Sequence, residues 1–137
     1  MRSWCPHCKH KTEAKFYAWC LTQPWIASVK RQAKYKWCKG NTYYMTSKRT
    51  GKICEHRRFL PFDFRITTSK DDTFIVEIDG PQHFQQVSNW KTPFENQLRD
   101  AYKTIKAKKN GLKILRLLQE DVLADRTPWR EAVLNFR

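Results

Sequence analysis

Phe59-Leu-Pro-Phe-Asp-Phe-Arg-Ile-Thr67 and Thr73-Phe-Ile-Val-Glu-Ile-Asp79 are the two stretches that decide the reading of this chain. In the first, Phe62, Phe64 and Ile66 alternate with Asp63 and Arg65, a period of two that predicts a strand with one apolar face. In the second, β-branched residues dominate and Gly80-Pro81 ends the run. Lys70-Asp71-Asp72 supplies a polar turn between them, so the pair reads as a hairpin. Glu77 and Asp79 are two residues apart and project to one side, and Asp63 leaves the adjacent strand on its polar face. Three carboxylates gathered on paired strands repel one another, and a strand this apolar offers little water. Mg²⁺ or Mn²⁺, a hard divalent cation taking oxygen ligands, neutralises such a cluster, with the Ile78 carbonyl as a further candidate ligand. An edge hairpin with a solvated acidic face is the plainer alternative. His83, four residues beyond Asp79 and past a Gly-Pro turn, is a candidate general acid or base.

Working outward, Thr12 is expected to cap a helix over residues 12–22, with Phe16, Trp19 and Cys20 at helical spacing and Pro24 as its stop. Residues 25–35 read as a strand and 39–58 as a basic loop or hairpin, with turn signals at Gly40-Asn41 and Thr50-Gly51. Residues 93–109 form the clearest helix; Phe94, Leu98, Ala101, Tyr102 and Ile105 make an apolar stripe expected to face the core, and Asn110-Gly111 closes the end. A buried strand over 112–118 and a last helix through Trp129, Val133 and Phe136 follow. The expected fold class is α/β (α+β): a mixed sheet flanked by helices. One domain over 1–137 is expected, with residues 1–58 including a zinc-binding or basic element and 59–137 holding the hairpin and the final helix–strand–helix.

Lys and Arg number 27 against 13 acidic residues, a formal charge of +14. So short a chain with that charge repels itself unless a polyanion is near, and nucleic acid is the partner that composition favours. Lys48, Arg49, Lys52, Arg57 and Arg58, with Lys103 and Lys106 on the long helix, are the candidate phosphate contacts. Trp4, Tyr43 and Trp90 are candidates for stacking on bases. No apolar run reaches spanning length and no apolar stretch follows Arg2, so neither a membrane nor a secretory leader is expected.

The cysteines are five in number, which with no leader argues for reduced thiols in an intracellular compartment, cytoplasm or nucleus, rather than a disulfide framework. Cys5-Pro6-His7-Cys8 has zinc-knuckle spacing, and Cys38 and Cys54 are the candidate second pair for a structural Zn²⁺, with His56, His7 or His10 as substitutes. Simple reduced thiols, some of them core, are the alternative, and Cys20 reads as packed.

The segments Phe62-Asp63-Phe64 and Ile75-Val76-Glu77-Ile78-Asp79-Gly80-Pro81-Gln82-His83-Phe84 resemble the core of nucleases related to the very-short-patch-repair endonuclease, within the PD-(D/E)xK, or restriction-endonuclease-like, superfamily. Thr12-Glu13-Ala14 resembles that family's first-helix glutamate, Val29-Lys30-Arg31-Gln32 its following strand, and Asp100 to Lys103 with Gly111 to Arg116 its tail. Gln82 to Trp90 is similar to versions from large DNA viruses, so the resemblance makes a virus-encoded origin one option. The resemblance implies Asp63 and Glu77 as metal ligands and Glu13 as a further member of the site. Asp79 stands where the superfamily carries lysine, and the resemblance leaves His83, Lys103 or a second metal to take over that lysine's role.

These readings give an expectation: a Mg²⁺- or Mn²⁺-dependent endonuclease hydrolysing phosphodiester bonds in double-stranded DNA, mismatched or branched duplexes included. The alternative is a zinc-stabilised nucleic-acid-binding module without catalysis. Specificity for a sequence, nicking against double-strand cutting, and oligomeric state are not legible.

Overall fold

The computed structural model describes residues 6–80 and 93–137; His83, Cys5, Trp4 and Trp90 lie outside the described residues. It is a mixed α+β fold. Along the chain run α1 (Pro6–Leu21), β1 (Ile26–Ala33), β2 (Lys39–Thr46), β3 (Ile53–Phe59), β4 (Phe62–Thr68), β5 (Thr73–Asp79), α2 (Pro93–Lys109), β6 (Lys113–Leu118), α3 (Gln119–Leu123) and α4 (Trp129–Phe136). Four strands form one sheet in the order β1-β4-β5-β6, and β2-β3 form a separate two-stranded ribbon. β4 is antiparallel to both its neighbours, β1 and β5, whereas β6 returns through α2 to lie parallel to β5.

β4 and β5 pair as the expected antiparallel hairpin. Its turn is held by Thr68, whose hydroxyl accepts from the N–H groups of Lys70 and Asp72 at 3.3 and 3.2 Å, and Asp71 takes the left-handed conformation (φ 67°) in place of a glycine. β5 is buried along most of its length, as befits a strand with neighbours on both edges.

Two apolar layers sandwich this sheet. On one side Phe64, Ile66, Phe74, Val76 and Ile78 pack against Phe16 and Cys20 of α1, Val122 of α3, and Trp129 and Val133 of α4. Phe16 anchors that layer, with ring centroids 4.7 Å from Phe64 and 5.8 Å from Trp129. On the other side Phe62 and Ile75 pack with Cys38, Ala107, Tyr102 and Ile114. Phe62 therefore does not share a layer with Phe64, as strict alternation would have it.

α1 begins earlier than residue 12. Pro6 is its first residue, suited to a position whose N–H needs no partner. Thr12 is not a cap: it is buried within the helix and its hydroxyl donates to the Cys8 carbonyl at 2.6 Å. The end of α2 is as expected, with Gly111 at φ 78° and the Leu112 N–H reaching the Ala107 carbonyl at 2.9 Å.

The face that α2 presents to the sheet differs from the expectation. Asn96, Lys103 and Ala107 are buried, while Phe94, Leu98 and Ile105 are exposed. Polar bonds fix this rotation. Lys103 reaches Glu77, the Tyr102 hydroxyl donates to the Lys39 carbonyl at 3.1 Å, and Arg116 of β6 donates to the Asp100 carbonyl and the Thr104 hydroxyl at 3.0 and 3.1 Å. Buried charges that lost these partners would cost more than the exposed apolar side chains do.

Candidate active site

The site forms where β4 and β5 part. Their backbone register ends at Phe64↔Val76. One step further, the Ile78 N–H is met not by the β4 backbone but by the Asp63 side chain, whose Oδ2 accepts it at 2.8 Å. Asp63 is thereby fixed in the cleft between the strands. Glu77 projects from β5 beside it, and Glu13 approaches from α1. All three are almost fully buried, with relative exposures of 7%, 5% and 5%, and Lys103 from α2 joins them at 7%.

Lys103 Nζ lies 2.7 Å from Glu77 Oε1 and donates to the Pro61 carbonyl at 2.8 Å. The Glu77 contact is short enough for a charge-assisted pair but poorly aligned, so Glu77 Oε1 has no well-directed hydrogen bond. Glu13 Oε1 is likewise buried without a hydrogen-bond partner. Burial and then the neighbouring Asp63 push the Glu77 carboxyl up to about 8, against the opposing pull of Lys103. Burial and then Asp63 also raise Glu13, while Lys9, Arg31 and His10 pull it down. The group is therefore short of positive charge: Lys103 is its one buried ammonium, Lys9, Arg31 and His10 act on Glu13 without cancelling its burial, and both glutamates hold protons beyond the usual carboxylate range.

A cavity of about 180 Å³ opens over the group, lined by Lys9, Gln32, Pro61, Asp63, Glu77 and Lys103 among others. Gln32 sits at its rim in the left-handed conformation (φ 51°), an uncommon state for a residue other than glycine. Among the described residues, no three His, Cys, Asp or Glu side chains are arranged as a ready ligand set for a metal ion. In their present rotamers Lys103 takes one oxygen of Glu77 and a backbone N–H takes one of Asp63. Glu13 Oε1, buried with no hydrogen-bond partner, and the crowded carboxyls of Asp63 and Glu77 are the hard oxygen donors that fit a divalent cation.

Asp79 shares Glu77's side of β5 but is drawn elsewhere. Arg116 Nη1 lies 3.0 Å from its Oδ1 and 3.8 Å from Asp100 Oδ1. Arg116, in the register position beside Glu77, thus fastens β5 to β6 and α2. Lys103 belongs to the buried group, so its sequence-based place among surface phosphate contacts is corrected. Lys48, Arg49, Lys52, Arg57 and Arg58 are exposed on the β2–β3 ribbon, and Lys106 is half-buried over the Tyr102 ring. Arg116 was missed in the sequence, although a lone arginine between Leu115 and Leu117 of an apolar strand calls for a buried partner.

The structure does not gather Cys8, Cys38 and Cys54 into a metal-binding group. The Pro6–Cys8 segment is helical rather than a knuckle turn, Cys38 is buried beneath α2, and Cys54 sits half-buried on the ribbon. Burial raises the Cys38 thiol and pushes that of Cys20 up to about 12, which makes both poor nucleophiles. Compared with protein-family models, with curated proteins and with solved structures, the chain matches none.

Proposed function

We propose that the chain is a divalent-metal-dependent endonuclease acting on DNA, with Asp63, Glu77 and Glu13 as its acidic centre and Lys103 as its cation. One observation carries this reading: a strongly basic protein buries three carboxyls and one ammonium together, with Asp63, Glu77 and Lys103 lining a small open cavity and Glu13 Oε1 left without a hydrogen-bond partner. The order helix, strands, helix, strand, with the last strand parallel to the hairpin, supports a restriction-endonuclease-like core.

The residues divide the work. Asp63 is held rigid by Ile78 and lines the cavity beside Glu77. Glu77 and Glu13 supply the other hard oxygens. A divalent ion held there would lower the pKa of water and offset charge building on the phosphodiester. Lys103, whose ammonium reaches the cavity from α2, takes the place of the lysine that the superfamily carries at the position of Asp79. It orients the attacking oxygen or stabilises the developing phosphorane charge. His83 remains a proposed acid or base. Structural zinc on Cys5, Cys8, Cys38 and Cys54 gains no support from the described residues.

Plasmid cleavage over a Mg²⁺ and Mn²⁺ series tests the proposal. Wild type should nick or cut, Asp63→Ala and Glu77→Ala should lose that activity while retaining DNA binding, and chelator should abolish it. Undiminished cleavage in excess chelator would sink the proposal. A second reading has its own observation. Lys103 already neutralises part of the acid group, so a binding module whose buried carboxyls are purely structural is consistent with the geometry. It predicts salt-sensitive DNA binding and no cleavage with any metal.

A further inference from the structure

The β2–β3 ribbon stands apart from the sheet, and no residue of either strand is buried. Two strands with no layer behind them are marginal in water, so a ribbon that exposes Tyr44 to 68% and Ile53 to 73% is poorly served by solvent alone. Local chemistry keeps it in shape. Ser47 and Lys52 pair across the end (N–H to carbonyl, 2.8 Å), Ser47 Oγ accepts from the Arg49 and Thr50 N–H groups, and Gly51 takes φ 70°. At the root, Arg57 donates to the carbonyls of Gly40 and Lys39 at 2.9 and 3.0 Å.

Both faces combine flat or apolar groups with cations. Tyr43 pairs with His56 and is covered by Arg58 at 5.0 Å; Met45 pairs with Cys54 on the same face. The opposite face carries the Tyr44–Glu55 and Thr46–Ile53 pairs, with Arg57 paired to Thr42 nearer the root. Lys48, Arg49 and Lys52 crown the tip. Residues 39–59 hold six Lys or Arg against one acid, Glu55. That charge disfavours pairing of two ribbons edge to edge and favours a polyanion.

We propose that this ribbon enters the major groove of a double-stranded DNA, its tip cations on the flanking phosphates and its two faces against the groove walls. The groove, about 12 Å wide, admits a two-stranded ribbon in undistorted duplex, whereas the minor groove at about 6 Å takes one only when it is widened at the cost of deforming the DNA. The inference rests on the reading of the chain as DNA-acting. The surface between ribbon and site agrees with it. A cleft of about 610 Å³ at the ribbon's root is lined by Lys39, Arg57, Leu60, Arg99 and Tyr102, and it shares Leu60 and Arg99 with the cavity over Asp63 and Glu77. Glu95 also lines the cleft, but Lys39, Arg57 and Arg99 outnumber it, so a strand backbone gripped by the ribbon has a path of contiguous clefts to the acids.

The test is fluorescence anisotropy of the full chain on a 20-base-pair duplex and its single strand, in chelator so that cleavage plays no part. Lys48→Gln/Arg49→Gln/Lys52→Gln should weaken duplex binding about tenfold and lower the log–log salt slope by about 2 to 3. Tyr44→Ser/Ile53→Ser should weaken duplex more than single strand and leave that slope unchanged. Wild type should protect guanine N7 from methylation within its footprint. Wild-type affinity in either variant, equal losses on duplex and single strand, or unprotected N7 would each overturn the ribbon's role. So would a self-associated wild type that the variants dissolve. The N7 experiment needs no variant. A chain that never cleaves yet behaves as described would refute the catalytic reading alone.

Discussion

Glu77→Gln, studied without metal, isolates the electrostatic state of the site. The folded chain holds the Glu77 carboxyl at about 8, against 4.5 for an ordinary glutamate. Below pH 4.5 both folded and unfolded chains are protonated here, and the contribution to stability is fully present. From 4.5 to 8 the unfolded chain ionises freely and the folded one resists, so stability is lost as pH rises; above 8 the loss is complete. Proton linkage sets a limit of about 1.4 kcal/mol per pH unit, and partial ionisation at both ends of the range leaves wild type losing on the order of 3 kcal/mol between pH 5 and 8 through this group. That is a large part of a typical total of about 5–15 kcal/mol. The glutamine cannot ionise, and its carbonyl can still accept from Lys103. Its stability should therefore fall much less steeply over the same range, although not to zero, because Glu13 is raised in the same sense. Urea unfolding in chelator at pH 5, 6, 7 and 8, with m held constant between proteins, reads the difference. Parallel curves for wild type and variant would show that Glu77 is not strained by burial and Asp63, and the charge-deficient site would have no basis.

Other consequences are as direct. Mn²⁺ binding by wild type should tighten from pH 6 to 8 as Glu77 gives up its proton, with proton release seen by calorimetry in buffers of different ionisation enthalpy; Glu77→Gln should bind more weakly and with a flatter profile. Lys103→Met should reduce cleavage by about 10²-fold or more while leaving duplex affinity unchanged, because the ammonium is buried in the site rather than displayed to DNA. Equal losses in binding and cleavage would return Lys103 to the surface. In native protein a thiol alkylator should spare Cys20 and Cys38, read by mass spectrometry, since both are buried with raised thiols. Phe64→Ala should cost about 3–5 kcal/mol in urea unfolding, because its ring fills the contact between β4 and α1.

Much of the fold was legible because β4 and β5 carry an unambiguous period and a strong turn. The acids on them were legible because ionisable groups inside apolar runs are costly. The orientation of α2 was not legible. Phe94, Leu98, Ala101 and Ile105 form a regular apolar stripe, and periodicity assigns such a stripe to the core. A second stripe, Asn96, Asp100, Lys103 and Ala107, has equally regular spacing. Only the partners waiting on the sheet, Glu77 and Arg116, decide which stripe turns inward. Those partners sit on other elements, which a local pattern cannot weigh. The same holds for Asp79: its spacing from Glu77 places it on the right side of β5, but the pull of Arg116 is a tertiary fact. The ribbon's turns were visible at Gly40-Asn41 and Thr50-Gly51, but its separation from the main sheet was not.

The division of the two acids of β5 between two cations also bears on what the site does. Arg116 and Lys103 arise from consecutive elements, β6 and α2, and each meets one of the carboxyls that the strand presents on a single side. Asp79 is the better compensated, since the planar guanidinium also ties down Asp100 and Thr104 and makes a rigid brace of the group. Glu77 meets a single ammonium that is misaligned with it and must also answer to Asp63 and Glu13. Had the group been built for stability alone, a better-aligned partner or an apolar replacement would have served at lower cost. A crowded acid group beside an open cavity, with Glu13 Oε1 lacking a partner, costs stability; under the proposed function it exchanges its protons for a cation, and the pH dependence of Mn²⁺ affinity separates that function from mere strain.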